Sequence, residues 1–363
     1  MSKKKVLVII GNLSNSGAPL TTLHFIQALN AVFDFDVLVL NAKTPQDLMR
    51  RNEYEKYCKN LFIKTFNSMS LISHGKERKK TIKFILNLTR SLHYDLVFSI
   101  SGLLSAYLFK ELKAQNNKLQ TIFYSLGPGA IRRKGVNILS RLIYSFKFRK
   151  TIKNADFIFY ISSKCVNKQM LKTCRSIELP DYPEIEKDSF EKETFKKRLG
   201  ILATISRNKN QLFCVKLLEN LNKNDDFKLI FMGNIIEESY YNKINFYLKR
   251  KGLNENIIFI SGNSDKKCFF NQIDYLLLPS KREGLPLVLL ESQYLGIPCI
   301  SSLAIPESAN LGGLIRLKLS VRKWSEYILN NKPVHFTPSL NLKENFINIL
   351  HNCFGIANEI ENS

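Results

Sequence analysis

Short blocks of apolar residues punctuate this chain, and polar or helically patterned stretches fill the spaces between them. In the first half the blocks lie at residues 4–10, 36–40, 61–66, 95–99, 119–124 and 157–161; in the second they lie at 200–206, 227–232, 256–260 and 274–278. Runs of this length read as buried strands rather than as helices. Between the first two blocks Leu23, Ile26 and Leu29 recur on one face of a helix, and a further apolar helix follows Pro286. Alternation of this kind predicts an α/β fold with parallel sheets covered by helices on both faces. No internal repeat or low-complexity tract interrupts it. Residues 176–192 turn acidic and carry Pro180 and Pro183, the composition of a domain boundary. Two domains are therefore expected, 1–178 and 190–340, and 363 residues suffice to give each its own core.

Composition changes this picture little. The apolar share of 45% is ordinary for a globular chain. No apolar run approaches the ~20 residues of a spanning helix. The opening Lys3-Lys4-Lys5 precedes only the short block Val6 to Ile10, which reads as a first strand and not as a signal peptide. Seven cysteines, at 58, 165, 174, 214, 268, 299 and 353, show no zinc or redox-pair spacing, so a reducing cytoplasm is the expected compartment.

Charge changes it more. The net charge is +23, and residues 1–175 hold 30 Lys/Arg against 9 Asp/Glu, whereas residues 176–363 hold 24 against 22. A solubility effect has no reason to choose one half, so the excess predicts an anionic partner for the first domain. Two tracts concentrate it. One runs from Lys76 to Lys83; the other joins Arg132-Arg133-Lys134 to a segment at 137–153. In the second, Ile138, Leu142 and Phe146 form a helical stripe that reads as packing on the sheet, while Arg141, Lys147, Arg149, Lys150 and Lys153 supply cations. An anionic membrane attracts ~1 kcal/mol per nearby Lys or Arg, so a handful suffices for docking. A nucleic acid is the rival partner, but no helix-turn-helix, zinc or RNA-binding motif appears, and none is expected to bind.

The densest chemistry lies in Pro279-Ser-Lys-Arg-Glu283-Gly-Leu-Pro286-Leu-Val-Leu-Leu-Glu291-Ser-Gln-Tyr-Leu-Gly296-Ile-Pro298. A buried strand ends at Pro279, Gly284 and Pro286 mark the entry to a helix, and Gly296 closes it. That helix start faces a strand's carboxyl end, where the amides of Leu285, Leu287 and Val288 can receive an anion. Glu283 precedes the helix and Glu291 follows two turns later, so both reach one cleft. Ionised carboxylates accept only, which suits sugar hydroxyls. Near the amino terminus, Gly11-Asn-Leu-Ser-Asn-Ser-Gly17-Ala-Pro19 joins the first strand to its helix as a loop whose amides can approach a phosphate. It lacks the dinucleotide fingerprint and the P-loop lysine. His24, on the helix, reads as a partly buried structural histidine.

The 279–298 segment resembles the donor-binding motif of the retaining glycosyltransferases of family 4, in which two Glu flank seven residues and a Gly-aliphatic-Pro turn follows the first. Cys299 to Glu307 continues the resemblance, and Leu319-Ser-Val-Arg-Lys-Trp324 is similar to a branch active in capsular, exopolysaccharide or lipopolysaccharide assembly. It covers residues 200–330 well and the first half only in pattern. The resemblance implies the GT-B fold, two Rossmann-like domains with parallel sheets facing a central cleft, with a terminal helix at about 342–363 returning to the first domain. It implies metal-independent hexosyl transfer with retention, from a nucleotide diphosphate sugar, expected to be UDP-linked, to a lipid-linked or polysaccharide acceptor. No cofactor is implied. The place expected is the cytoplasmic face of the cell membrane, held peripherally by the basic first domain.

Residue by residue, the resemblance assigns Glu283 to the donor sugar, Glu291 to ribose hydroxyls, and Gly284, Leu285 and Pro286 to the turn around the diphosphate. Lys209 matches the family lysine that contacts the diphosphate. The family's Gly-Arg pair falls on Ala203 and Thr204, so Arg207 is read as a substitute from the next turn. Gly17 matches the loop facing donor diphosphate and acceptor, and Gly262 the loop beside the nucleotide base. A family histidine that often follows the strand ending near Tyr124 is missing: the chain reads Ser125-Leu-Gly127-Pro-Gly129, leaving Ser125 and this loop to line the acceptor side and no residue to name as a base. These departures keep a catalytically silent sugar-nucleotide-binding subunit open beside the enzyme.

Overall fold

The computed structural model describes residues 3–66, 75–100, 102–127, 146, 149, 151, 153–166, 175–185, 196–223, 225–334 and 341–356. Most of the basic tract at 132–153, and Gly129, lie outside the described residues. Two compact units divide the chain: Met1–Asp181 with Lys343–Ser363, and Tyr182–Leu342.

The first unit is built on β1 (Lys4–Ile10), β2 (Phe33–Val39), β3 (Asn60–Ile63), β4 (Leu96–Ser99), β5 (Gln120–Ser125), β6 (Phe157–Tyr160) and β7 (Arg175–Glu178). They form one parallel sheet in the order β3-β2-β1-β4-β5-β6-β7. Helices α1 (Gly17–Leu29), α2 (Arg51–Glu55), α3 (Gly75–Leu92) and α4 (Gly102–Gln115) connect the strands. Every strand runs the same way, so all carboxyl ends gather at one edge, and the order reverses between β1 and β4. α1 is buried along most of its length because the sheet is not its only neighbour. Phe25 stacks on Phe98 at 4.2 Å, and Phe354 of the terminal helix packs edge-on against both Phe25 and Phe33.

The second unit repeats the plan with β8 (Arg198–Leu202), β9 (Lys228–Met232), β10 (Ile257–Ile260), β11 (Tyr275–Leu278), β12 (Cys299–Ser302) and β13 (Leu314–Leu317), in the order β10-β9-β8-β11-β12-β13, again all parallel. Its helices are α5 (Gln211–Leu221), α6 (Glu238–Lys251), α7 (Lys266–Phe270), α8 (Leu287–Tyr294) and α9 (Val321–Asn330); α10 (Leu342–Phe354) belongs to the first unit. Its core joins Leu199, Ile201, Leu218, Phe231, Leu277, Ile300 and Trp324. Burial of side chains of this size is worth roughly 1.5–3 kcal/mol each. Trp324 is wholly buried and its indole N–H donates to the Lys318 carbonyl at 3.0 Å. Gly200 in β8 is required by packing: a Cβ there would sit 2.5 Å from Ile273 and 2.8 Å from Phe269.

Three strands had no signal in the apolar pattern. β7 is a half-exposed edge strand of sequence Arg-Ser-Ile-Glu, and β12 and β13 are short and carry serines or an arginine. β2 begins at Phe33 and not at residue 36, because Phe33 and Phe35 are buried despite Asp34 between them. Asp36 is tolerated there because Tyr94 donates to it at 2.6 Å and Asn60 at 2.9 Å. β8 ends at Leu202, so residues 203–206 form the start of a loop.

Candidate functional site

In the second sheet the strand order reverses between β8 and β11, and the loops leaving their carboxyl ends carry the residues of interest. Open parallel sheets bind ligands at such a switch point. The loop after β8 turns tightly. Ile205 N–H donates to Asn234 O at 2.9 Å, Asn210 takes left-handed backbone angles, and Gln211 then opens α5. Lys209 therefore stands in the turn before the helix.

This loop is fastened to the one after β11. The Lys281 amide donates to Asn208 O at 2.8 Å, Asn208 Nδ2 donates to Arg282 O at 3.0 Å, and Asn210 Nδ2 reaches Pro279 O at 3.3 Å. The clasp brings Lys209 Nζ to 2.7 Å from Glu283 Oε1, both side chains mostly shielded from solvent. Buried beside them, Ser280 Oγ and Asn208 Oδ1 have no hydrogen-bond partner among the described residues, leaving polar capacity for a ligand.

Past Glu283 the chain enters α8 through buried Gly284, Leu285 and Pro286, with Pro286 at the cap. The first bond of the helix runs from Leu289 N–H to Pro286 O, so the amides of Leu287 and Val288 lie ahead of it. Glu291 projects from the second turn, its side chain only 2% exposed. A buried carboxylate needs a counter-charge, and Lys266, the first residue of α7, supplies it at 2.6 Å. Asp265 caps α7 by accepting from the Lys267 amide at 2.9 Å, a bond that holds its carboxyl below the ordinary range.

Gly262 lies on the loop after β10, close against Asn234 at the end of β9; a Cβ would meet Asn234 Oδ1 at 2.7 Å and its backbone N at 2.8 Å. At the β9 end itself, a Cβ on Gly233 would fall 2.0 Å from the Ala203 carbonyl. Both glycines let three neighbouring strand ends crowd together. Arg207 is not brought to this cluster. Its side chain is 64% exposed, and the guanidinium donates to Glu237 at 3.1 Å and Ser239 at 3.2 Å.

In the first unit Gly17 opens α1 at an exposed position, and Thr21 Oγ1 donates to its carbonyl at 2.9 Å. The loop before it is steadied by Arg50, which donates to Asn15 Oδ1 at 3.2 Å. Ser125, expected to line an acceptor, is buried and donates to Cys165 O at 3.0 Å. His24, expected to be partly buried, is wholly buried, with Nδ1 2.7 Å from Asp181. Thr21 bonds the same carboxylate. The pair fastens α1 to the chain just beyond β7.

Structure thus joins Lys209 to Glu283, places Glu291 on the same strand-helix unit, and adds Lys266, Asn208 and Asn234, which sequence reasoning passed over. Lys266 left one trace in sequence: Asp265 before the apolar Phe269-Phe270 is a helix-capping signal at a strand's carboxyl end. Among the described residues no cluster of His, Cys, Asp or Glu could hold a metal ion, and no helix is long and apolar enough to cross a membrane.

Residues 183–307 match the family model for glycosyl transferases group 1, which spans the loops just described. Over 331 residues the chain is 27% identical to the capsular polysaccharide biosynthesis glycosyltransferase CapH of Staphylococcus aureus, covering 82% of this chain and 81% of that protein. Among solved structures, sucrose-phosphate synthase from Thermosynechococcus elongatus superposes with a TM-score of 0.70 at 14% identity, covering 98% of this chain and 96% of the other. HepE of Anabaena, solved in complex with UDP, superposes at 0.68 with 11% identity, covering 96% and 95%. At these identities the structural likeness shows the fold alone, which is GT-B.

Proposed function

We propose that this chain is a glycosyltransferase of polysaccharide assembly, moving a hexose-type sugar from a nucleotide diphosphate donor to a lipid-linked or polysaccharide acceptor with retention. The observation that carries the reading is the clasp at the switch point, where Lys209 meets Glu283 and Glu291 stands two turns into α8. The group 1 match over this region and the likeness to a capsular glycosyltransferase support it.

In this reading the diphosphate lies between Lys209 and the amides of Leu287 and Val288. Fixed positive charge there stabilises the negative charge that develops on the leaving group as the bond to the sugar's anomeric carbon breaks, usually the largest catalytic contribution. Such a site asks for no metal. Glu283 accepts from donor-sugar hydroxyls once the diphosphate takes over Lys209, and Glu291 accepts from the ribose. Gly262 and Asn234 border the base. Arg207 acts as a second cation only by leaving Glu237. UDP is the donor nucleotide we assign. The acceptor side falls to the first unit, with Gly17 at the start of α1, and the +21 charge of residues 1–175 holds the protein at the inner face of the cell membrane.

A thermal-shift and calorimetry panel of nucleotide sugars tests the donor assignment. Binding of at least one UDP-sugar, lost in Glu291→Ala, is expected; a folded protein that ignores every nucleotide sugar overturns the reading. Co-sedimentation with anionic but not neutral vesicles is expected of the basic unit. A salt-dependent shift of RNA or DNA without vesicle binding would redirect the charge to nucleic acid.

A further inference from the structure

The two glutamates of the 283–291 motif are each held by a lysine, Lys209 from the turn after β8 and Lys266 from the first residue of α7. Lys209 approaches from the β8 side. Lys266 approaches from the β10 side, and its side chain remains 35% exposed while its ammonium reaches a carboxylate 2% exposed. That ammonium bonds Oε1 of Glu291 at 2.6 Å, and no other donor reaches the carboxylate among the described residues. One oxygen of a nearly buried carboxylate is thus occupied and the other stands unclaimed. A vicinal diol fits what is left over, since it donates two hydrogen bonds to one acceptor group.

From this arrangement we infer that Lys266 is the positioning residue for ribose recognition. Its ammonium pins Oε1, fixing the rotamer of Glu291 so that Oε2 meets the 2′- and 3′-hydroxyls of the donor nucleotide. The inference rests on the proposed nucleotide-sugar reading of the site and adds to it a named source of preorganisation. A free glutamate has three rotatable bonds to order on binding; one already tethered by a charge-assisted bond has that ordering done before the ligand arrives. Lys266 also supplies the counter-charge that a carboxylate out of water needs. It has this effect without touching the nucleotide, so its loss should erode discrimination for the ribose and leave contacts to the base and diphosphate intact. A lysine acting as a general attractor of phosphate would behave differently, raising affinity for every nucleotide alike.

Calorimetry with UDP and 2′,3′-dideoxy-UDP, on the full chain as wild type, Lys266→Met, Lys266→Gln and Lys266→Arg, separates these cases. Wild type should favour UDP by roughly tenfold or more, the worth of hydrogen bonds to a charged acceptor. Lys266→Met and Lys266→Gln should bring that ratio to about threefold or less with affinity for the dideoxy nucleotide unchanged, and Lys266→Arg should restore it. Variants that keep the wild-type ratio, or weaken both nucleotides equally, overturn the inference. Wild type that binds both nucleotides alike overturns it together with the ribose assignment of Glu291. A wild type that binds no nucleotide in the donor panel instead marks failure of the proposed function itself.

Discussion

Lys209 and Glu283 lie 74 residues apart in the chain and 2.7 Å apart in the fold, one on the loop after β8 and the other on the loop after β11. The loops do not meet by this ion pair alone, because a backbone bond from the Lys281 amide to Asn208 O and a bond from the Asn208 side chain to Arg282 O also fix their spacing. In the proposed function the diphosphate must take Glu283's place beside Lys209. Glu283→Gln should therefore bind UDP as well as wild type or better, while transfer falls at least tenfold because the donor sugar loses an ionic acceptor. Calorimetry paired with a transfer assay checks both halves, and weakened UDP binding in this variant would count against the exchange of partners.

The two cations near the site should differ in weight. Lys209→Met is expected to weaken UDP binding by roughly ten- to a hundredfold, the range for a hydrogen bond to a charged group. Arg207→Gln should cost about threefold or less, since exposed pairs of the Arg207–Glu237 kind contribute little. Equal losses in a side-by-side titration would show that Arg207 leaves Glu237 and joins the diphosphate.

Sequence made the architecture legible because parallel strands buried on both faces must be continuously apolar, as in 4–10 and 274–278. It failed where burial was one-sided or polar. β7 is a half-exposed edge strand, and β2 hides Asp36 by hydrogen bonds from Tyr94 and Asn60 that no local pattern foretells. Glu283 and Glu291 were legible because a turn and a helix fix their separation within one short stretch. Lys266 was not, because its partner lies 25 residues away across a strand and a loop. Arg207 drew attention for its closeness in sequence to the strand end, yet it is engaged by Glu237, thirty residues on. His24 appeared partly buried from its helix alone; the partner that satisfies it in the core is Asp181, more than 150 residues downstream.

Gly233→Ala tests the crowding of strand ends. The added Cβ would meet the Ala203 carbonyl at 2.0 Å, and that carbonyl belongs to backbone that cannot swing aside. Overpacking of this kind costs about 1–3 kcal/mol and sometimes more, so the urea midpoint should fall clearly. Gly252→Ala, whose Cβ meets no heavy atom within 4 Å, pays only for its left-handed backbone angle and should fall less.

Acid should loosen the second unit in a traceable way. Glu219 on α5 accepts from Lys251 of α6 at 2.6 Å, and that bond holds its carboxyl below the ordinary range. A carboxyl depressed in the folded state adds stability that is present above its unfolded value, about 4.3, and is lost as pH falls through the folded value. Glu219→Gln should be less stable than wild type at neutral pH, with the gap closing below about pH 4. Chemical denaturation at a series of pH values reads this directly; a constant gap would assign the effect to packing.

Because all strands of the second sheet run the same way, the turns at their starting ends take no part in the proposed chemistry. One of them, from Gly252 to the start of β10, opens with a glycine at φ 65° and has exposed residues at Asn254 and Glu255. Exposed turns of small and polar residues accept foreign sequence well. An enzymatic biotinylation tag placed there would tether the protein to a sensor chip by the edge of the sheet remote from Lys209 and Glu291, leaving the nucleotide edge open to flowing ligand.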